Sequence, residues 1–364
     1  MIIVSSLLLL VAAPLAGGLL RGLPDAFFDF PPLVVSPPVH APFSWLVFGM
    51  LGLLSLLTLG LLIFPDRFGF DRIGAQESMP RGHFPWWGWA GLTLMLPSWI
   101  GAWGRFGWMG FMRDHMFFPL WLGYVITMDG LVHVRRGQSL LSRTPYTFLA
   151  LFPASAISWW YFEYLNRLME NWYYRGIGHF GPWHYILNAT LCFSTVFPAI
   201  FETEAFLRSF PWFRNAYRYG PVIPRLSRRA LIMLMGLGTL GLFILGWLPD
   251  PFFYLTWVAP LVILAAMLAL AGIPTPFQQL EKGDYTRLFT LGLAALFTGF
   301  FWEMWNFHSL PQWNYSVPYV DRWDVFEMPM IGYTGYLPFG PICWCFWLAW
   351  CTLFGTHPAF EQDD

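Results

Sequence analysis

Ten apolar stretches, each close to the length of a helix that crosses a bilayer, take up most of this chain. They lie near 2–20, 43–64, 85–104, 115–133, 146–165, 184–206, 229–248, 252–272, 285–305 and 326–354. A hydrocarbon core about 30 Å thick needs ~20 apolar residues at a rise of 1.5 Å each. Backbone polar groups in lipid must pair within their own segment, so these runs are expected to be helices. Charge points the same way. Only 11% of the 364 residues are charged and 57% are hydrophobic, against about 25% charged in soluble domains. Such a chain cannot cover a globule with a solvated surface. The expected fold is therefore an all-α polytopic membrane protein of about ten transmembrane helices, with the lipid bilayer as its first partner. A net charge of −1 gives no footing for a nucleic-acid partner.

The first run, MIIVSSLLLLVAAPLAGGLL, has no basic residues ahead of it and reads as an uncleaved membrane helix rather than a secretory signal. Arginines set the orientation. Fourteen of the twenty basic residues follow even-numbered runs: Arg67, Arg72 and Arg81; Arg135, Arg136 and Arg143; Arg208, Arg214, Arg218, Arg225, Arg228 and Arg229; Lys282 and Arg287. By the positive-inside bias that side faces the cytoplasm. The reading is a multi-pass protein of the cytoplasmic (inner) membrane, with both termini, including the acidic tail at 356–364, in the cytoplasm. Cys192, Cys343, Cys345 and Cys351 lie in apolar runs without Cys-x-x-Cys spacing and read as buried thiols.

A shift of 140 residues lays SAISWWYFEYLNR over ALFTGFFWEMWNF. Glu163 then falls on Glu303 and Asn166 on Asn306. Trp183 meets Trp323 and Pro198 meets Pro338 in the same register. Glu and Asn are scarce here, so their coincidence outweighs matches between leucines. The expected organisation is two N-terminal helices (1–79) and two degenerate parallel repeats of four helices, at 80–215 and 224–355. Parallel repeats are related by an axis along the membrane normal.

Glu163 and Asn166 share one helix face at i, i+3 spacing, as do Glu303 and Asn306. Each pair sits roughly 25 Å along its helix, close to the non-cytoplasmic interface. Aromatic belts gather at that interface as anchors, and a Glu with an Asn can simply satisfy neighbouring polar groups in a bundle. Recurrence favours a site, because two desolvated carboxyls near a common axis would hold and deliver protons. The candidate catalytic residues are Glu303, Glu163, Asn306, Asn166, Asp324 and Glu327, the last two again at i, i+3. His308, Asp321, Asp324 and Glu327 share one connection without the spacing of a known metal motif, so no metal is expected. No P-loop, Rossmann fingerprint or Gly-x-Ser-x-Gly is present, and no cofactor is indicated. Glu202 and Glu204 are expected to bridge locally to Arg208 or Arg214. The last run, with Gly332, Gly335, Pro338, Gly340 and Pro341, predicts a broken or re-entrant start; its glycines allow close helix approach, or alternatively its prolines open the helix toward a cavity.

Three functions fit these features. One is a membrane-embedded enzyme acting on a lipid-like or isoprenoid substrate at the non-cytoplasmic interface, with a glutamate as proton donor or acceptor. The second is a proton- or cation-coupled transporter built from two repeats. The third is a non-catalytic subunit that docks a protein partner through its aromatic face. An interfacial, one-sided pocket separates the first from the second.

Overall fold

The computed structural model describes residues 2–31, 34–71, 82–104 and 106–356. Arg72, Arg81, Arg105 and the EQDD tail lie outside the described residues. Helices α1 (Ile2–Arg21) and α2 (Trp45–Ile63) precede α3 (Trp86–Gly104) and α4 (Phe117–Arg136). One turn, α5 (Leu140–Arg143), leads into α6 (Pro145–Met169), followed by α7 (Pro182–Phe193), α8 (Val196–Arg208) and the short α9 (Pro211–Asn215). The remainder comprises α10 (Arg228–Trp247), the short α11 (Pro249–Phe252), α12 (Leu255–Leu270), α13 (Thr286–Asn306) and α14 (Tyr336–Phe354). Strand content among the described residues is confined to two small antiparallel pairs, β1 (Trp172–Arg175) with β2 (Gln312–Tyr315) and β3 (Asp324–Val325) with β4 (Met328–Pro329).

All ten apolar runs are helical. Seven helical segments among the described residues are long and apolar enough to cross a membrane. The chain is thus an all-α polytopic membrane protein. Helices α3 and α6 have the length but are diluted by tryptophan, tyrosine, serine and proline, while α12 has only 16 residues.

The run at 184–206 is not one helix but two, α7 and α8, separated by a turn at Ser194 and Thr195. Pro198 has no N–H to give to the preceding turn. Ser155 of α6 fills the opening: its hydroxyl donates to the Phe193 carbonyl (2.6 Å) and accepts from the Phe197 N–H (3.0 Å). A second helix thereby satisfies backbone groups that lipid cannot. The last run is also broken. A 3₁₀ segment, Met330–Gly335, precedes α14. Past that break the packing is close, since a β-carbon on Gly340 would overlap the Leu291 carbonyl of α13.

Four elements close a ring: α6 packs on α8, α8 on α13, α13 on α14, and α14 back on α6. Outside the ring, α4 packs on α8 and α3 on α4, while α12 packs on α14, α10 on α12, and α1 on α10. The α1–α10 contact is backbone to backbone, because side chains on Gly17 or Gly246 would meet the Phe243 or Pro14 carbonyl. Helix α2 leans on the 65–68 turn and the 330–335 segment, and Leu62 is its one buried residue. The ring is filled by side chains with no exposure, among them Leu291, Ala294, Ala295, Ile342 and Cys345. The four cysteines are free thiols, three of them buried.

Candidate functional site

The strand pair β1–β2 joins the two connections that follow α6 and α13. Its register sets Trp172 opposite Tyr315, Tyr173 opposite Asn314, and Tyr174 opposite Trp313. In an antiparallel pair, alternate residues turn their N–H and C=O away from the partner strand. Trp172 and Trp313 are such residues, and the two asparagines receive them. The Asn166 amide donates to the Trp172 carbonyl (2.7 Å), and its oxygen accepts from the Trp172 N–H (3.1 Å). Asn306 makes the same pair of bonds to Trp313, at 2.7 and 2.9 Å. Asn166 and Asn306 are 1% and 0% exposed, so water does not compete.

The glutamates hold the side chains of the same strands. Glu163 Oε1 accepts from Trp159 Nε1 (3.1 Å), Trp172 Nε1 (3.1 Å) and the Tyr174 hydroxyl (2.6 Å). Glu303 Oε1 accepts from the hydroxyls of Tyr315 (2.8 Å) and Tyr336 (2.7 Å), and Trp313 Nε1 donates to the Tyr315 oxygen (3.0 Å). Both glutamates are buried, at 2% and 0% exposure. Among the described residues no arginine, lysine or histidine is hydrogen-bonded to either carboxyl. Burial, together with the adjacent carboxylates, pushes the Tyr174 and Tyr315 phenols well above their ordinary range. Both therefore keep their protons near neutral pH and donate. Each Glu-x-x-Asn thus divides its work: the asparagine holds the strand backbone and the glutamate holds the aromatic side chains.

Those aromatic side chains line one cavity. Trp159, Trp172 and Tyr174, held by Glu163, and Tyr315 and Tyr336, held by Glu303, face the same space of about 180 Å³. Trp257, Trp302, Phe253 and Phe339 complete much of the wall. Among the described residues, Asn171 and Asn188 are its only side-chain amides and no charged side chain lines it. The two carboxyls stand behind the aromatic layer rather than in the cavity itself.

The other expected site residues lie apart. Glu327 accepts from Gln312 Nε2 (3.0 Å) and from Asn314 Nδ2, so it braces the face of β2 away from the cavity. Asp324 is exposed on β3. His308 packs its ring on Trp103 and Phe307, and no group of three or more His, Cys, Asp or Glu that could hold a metal occurs among the described residues. Glu204 makes the expected bridge to Arg208 (3.7 Å) and a second to Arg287 (4.0 Å). Glu202 departs from expectation. Neither of its oxygens has a hydrogen-bond donor, and it faces the Asp129 carboxyl of α4. Residues two apart on a helix point to different neighbours, so Glu204 turns to α13 while Glu202 turns to α4.

The sequence singled out Glu163 and Glu303 but not their donors, Tyr174, Tyr315, Tyr336, Trp159 and Trp172. The signal was present one residue out of register: WYY at 172–174 and WNY at 313–315 are offset by 141, whereas the glutamates are offset by 140.

Fold and site together define an integral membrane protein, a helical bundle with an aromatic cavity at its strand-paired end. No protein-family profile, curated protein or solved structure matches the chain.

Proposed function

We propose that this protein is a membrane-embedded enzyme that takes the apolar part of a lipid-like or isoprenoid substrate into the aromatic cavity. Glu303 acts as proton donor or acceptor through the tyrosines that face the substrate. The observation that carries this reading is that the donors of two buried, unbridged carboxyls line a single cavity. A hydroxyl can accept a proton as it releases its own, so Tyr315 and Tyr336 can pass a proton between Glu303 and a substrate atom. Glu163 is held by two indole N–H groups and one phenol. An indole donates but does not relay. The reading therefore assigns chemistry to Glu303, whose Oε2 has no donor, and support of the cavity wall to Glu163. Asn166 and Asn306 act as positioning residues, and Glu327 and Asp324 stand outside the reacting shell.

The transporter reading is disfavoured by the filled ring. Leu291, Ala294, Ala295 and Ile342, all unexposed, close the bundle beneath the cavity, which leaves it one-sided. We also take the chain to be two parallel repeats in the cytoplasmic membrane, with termini inside and the cavity at the non-cytoplasmic end. Three recurrences support the duplication: the two Asn–Trp backbone clamps, the two Glu–Tyr contacts, and helix breaks just before both Pro198 and Pro338.

The test is the lipid complement of cells carrying Glu303→Gln, Tyr336→Phe or Tyr315→Phe, read by mass spectrometry of total extracts. Glu303→Gln should accumulate an apolar species that the unsubstituted protein consumes, and Glu163→Gln should do so less. An unchanged profile in Glu303→Gln, with the protein present at normal level, refutes the assignment.

A further inference from the structure

We infer that the group entering the aromatic cavity is positively charged, an alkylammonium carried on an apolar chain. This rests on the cavity being a ligand site, as proposed above, and concerns what that site selects. The argument begins with where the wall's donors point. Trp159 Nε1, Trp172 Nε1 and the Tyr174 hydroxyl are committed to Glu163. The hydroxyls of Tyr315 and Tyr336 are committed to Glu303, and Trp313 Nε1 to the Tyr315 oxygen. The carboxyls behind the wall therefore draw these five N–H and O–H groups toward themselves. What they leave for a ligand is mainly ring surface and oxygen lone pairs, with the unpaired Tyr185 hydroxyl and the Asn188 amide as neutral donors beside them.

A ring face carries the negative part of the aromatic quadrupole, and tryptophan attracts cations most strongly. Five tryptophans, Trp159, Trp172, Trp257, Trp302 and Trp313, line this one space. One further acceptor is free. Asn171 is 7% exposed, lines the cavity, and its Oδ1 has no hydrogen-bond partner. A buried acceptor without a donor is costly, and an ammonium N–H or a polarised N–CH₃ relieves it. An anion fares badly by the same account. A phosphate or carboxylate would lose its hydration, find no arginine, lysine or histidine in the wall, and meet two carboxyls behind it.

The experiment uses the full-length protein in bilayer nanodiscs. Binding of decyltrimethylammonium is followed by tryptophan emission and thermal shift, beside its uncharged tert-butyl carbon isostere and the anionic decyl phosphate. The ammonium should bind roughly tenfold more tightly than the isostere, as cation–π attraction in a desolvated site implies, and decyl phosphate should not compete. Asn171→Asp should tighten the ammonium further, and Trp257→Phe, which preserves most of the wall, should weaken it while leaving the isostere unchanged. Equal affinity for ammonium and isostere, or preference for the phosphate, overturns the charge selection and leaves the ligand site standing. Failure of all three to bind overturns both.

Discussion

Removing the Asn306 side chain tests how the site is held together. Its amide carries both the N–H and the C=O of Trp313, at 2.9 and 2.7 Å, with no solvent exposure. Asn306→Ala leaves both backbone groups without partners. Each buried polar group so stranded costs about 1–3 kcal/mol. Side-chain bonds between membrane helices average about 0.6 kcal/mol, because the unfolded chain in lipid finds other partners. A backbone group on a strand edge is less easily re-paired, so the expected loss is about 2–4 kcal/mol. Asn166→Ala should cost a similar amount through Trp172. The double variant should cost less than the sum, since β1 and β2 are paired and releasing one loosens the other. Unfolding in mixed micelles as denaturing detergent is raised, followed by tryptophan emission, measures all three. Asn306→Asp adds a pH signature. An ionised carboxylate still accepts from the Trp313 N–H but opposes the Trp313 carbonyl, whereas a protonated one donates to it. Stability of that variant should recover as pH falls, while Asn306→Ala stays flat. A loss below about 0.5 kcal/mol in both alanine variants, or no pH response in the aspartate, refutes the clamp.

Three further outcomes follow from the packing. Ser155→Ala strands the Phe193 carbonyl and the Phe197 N–H at the α7–α8 break and should cost about 1–3 kcal/mol in the same assay, with Ser155→Thr retaining most of the stability if the methyl is accommodated. Gly340→Ala forces α14 off the Leu291 carbonyl and should lower stability by at least about 2 kcal/mol, whereas Gly236→Ala, on a helix with open space around the added carbon, should stay within about 1 kcal/mol. Tyr336→Phe leaves Glu303 one phenol, that of Tyr315, so substrate turnover should fall more than stability; equal falls in both would assign Tyr336 to the fold alone.

The helices were legible because apolar length is a local property. What each helix does at its ends was less so. Pro198 gave no warning of a break, since prolines sit inside α1, α3, α6 and α12 without dividing them. The break also depends on Ser155, a residue 43 positions earlier in the chain. The glutamates and asparagines stood out because carboxylates and amides are scarce in apolar helices. Their partners did not, because a four-residue strand pairing across 140 positions has no local periodicity to read. A single inserted residue between Asn306 and Trp313, relative to Asn166 and Trp172, then moved WNY out of register with WYY. Glu202 shows a further limit. The nearest basic residues in its own stretch of sequence are Arg208 and Arg214, but its neighbour in space is Asp129, and only the crossing of α4 with α8 determines that.

A carboxylate set among tryptophans and tyrosines first suggests a reactive group exposed to a substrate. The geometry places it one layer back. Glu163 and Glu303 do not touch the cavity; they orient the residues that do. This arrangement makes the two glutamate sites chemically unequal although each sits beside an Asn–Trp clamp. Two phenols at Glu303 connect the carboxyl to the cavity by groups that both give and take protons, while two of the three contacts at Glu163 are indoles that end the path at a donor. Replacing Tyr174 with phenylalanine would remove the one relay-competent contact of Glu163 and leave its two indole bonds, whereas Tyr315→Phe and Tyr336→Phe together would isolate Glu303. If the proton moves through Glu303, only the second change silences turnover. If Tyr174→Phe silences it as completely, the activity belongs to the other half of the molecule.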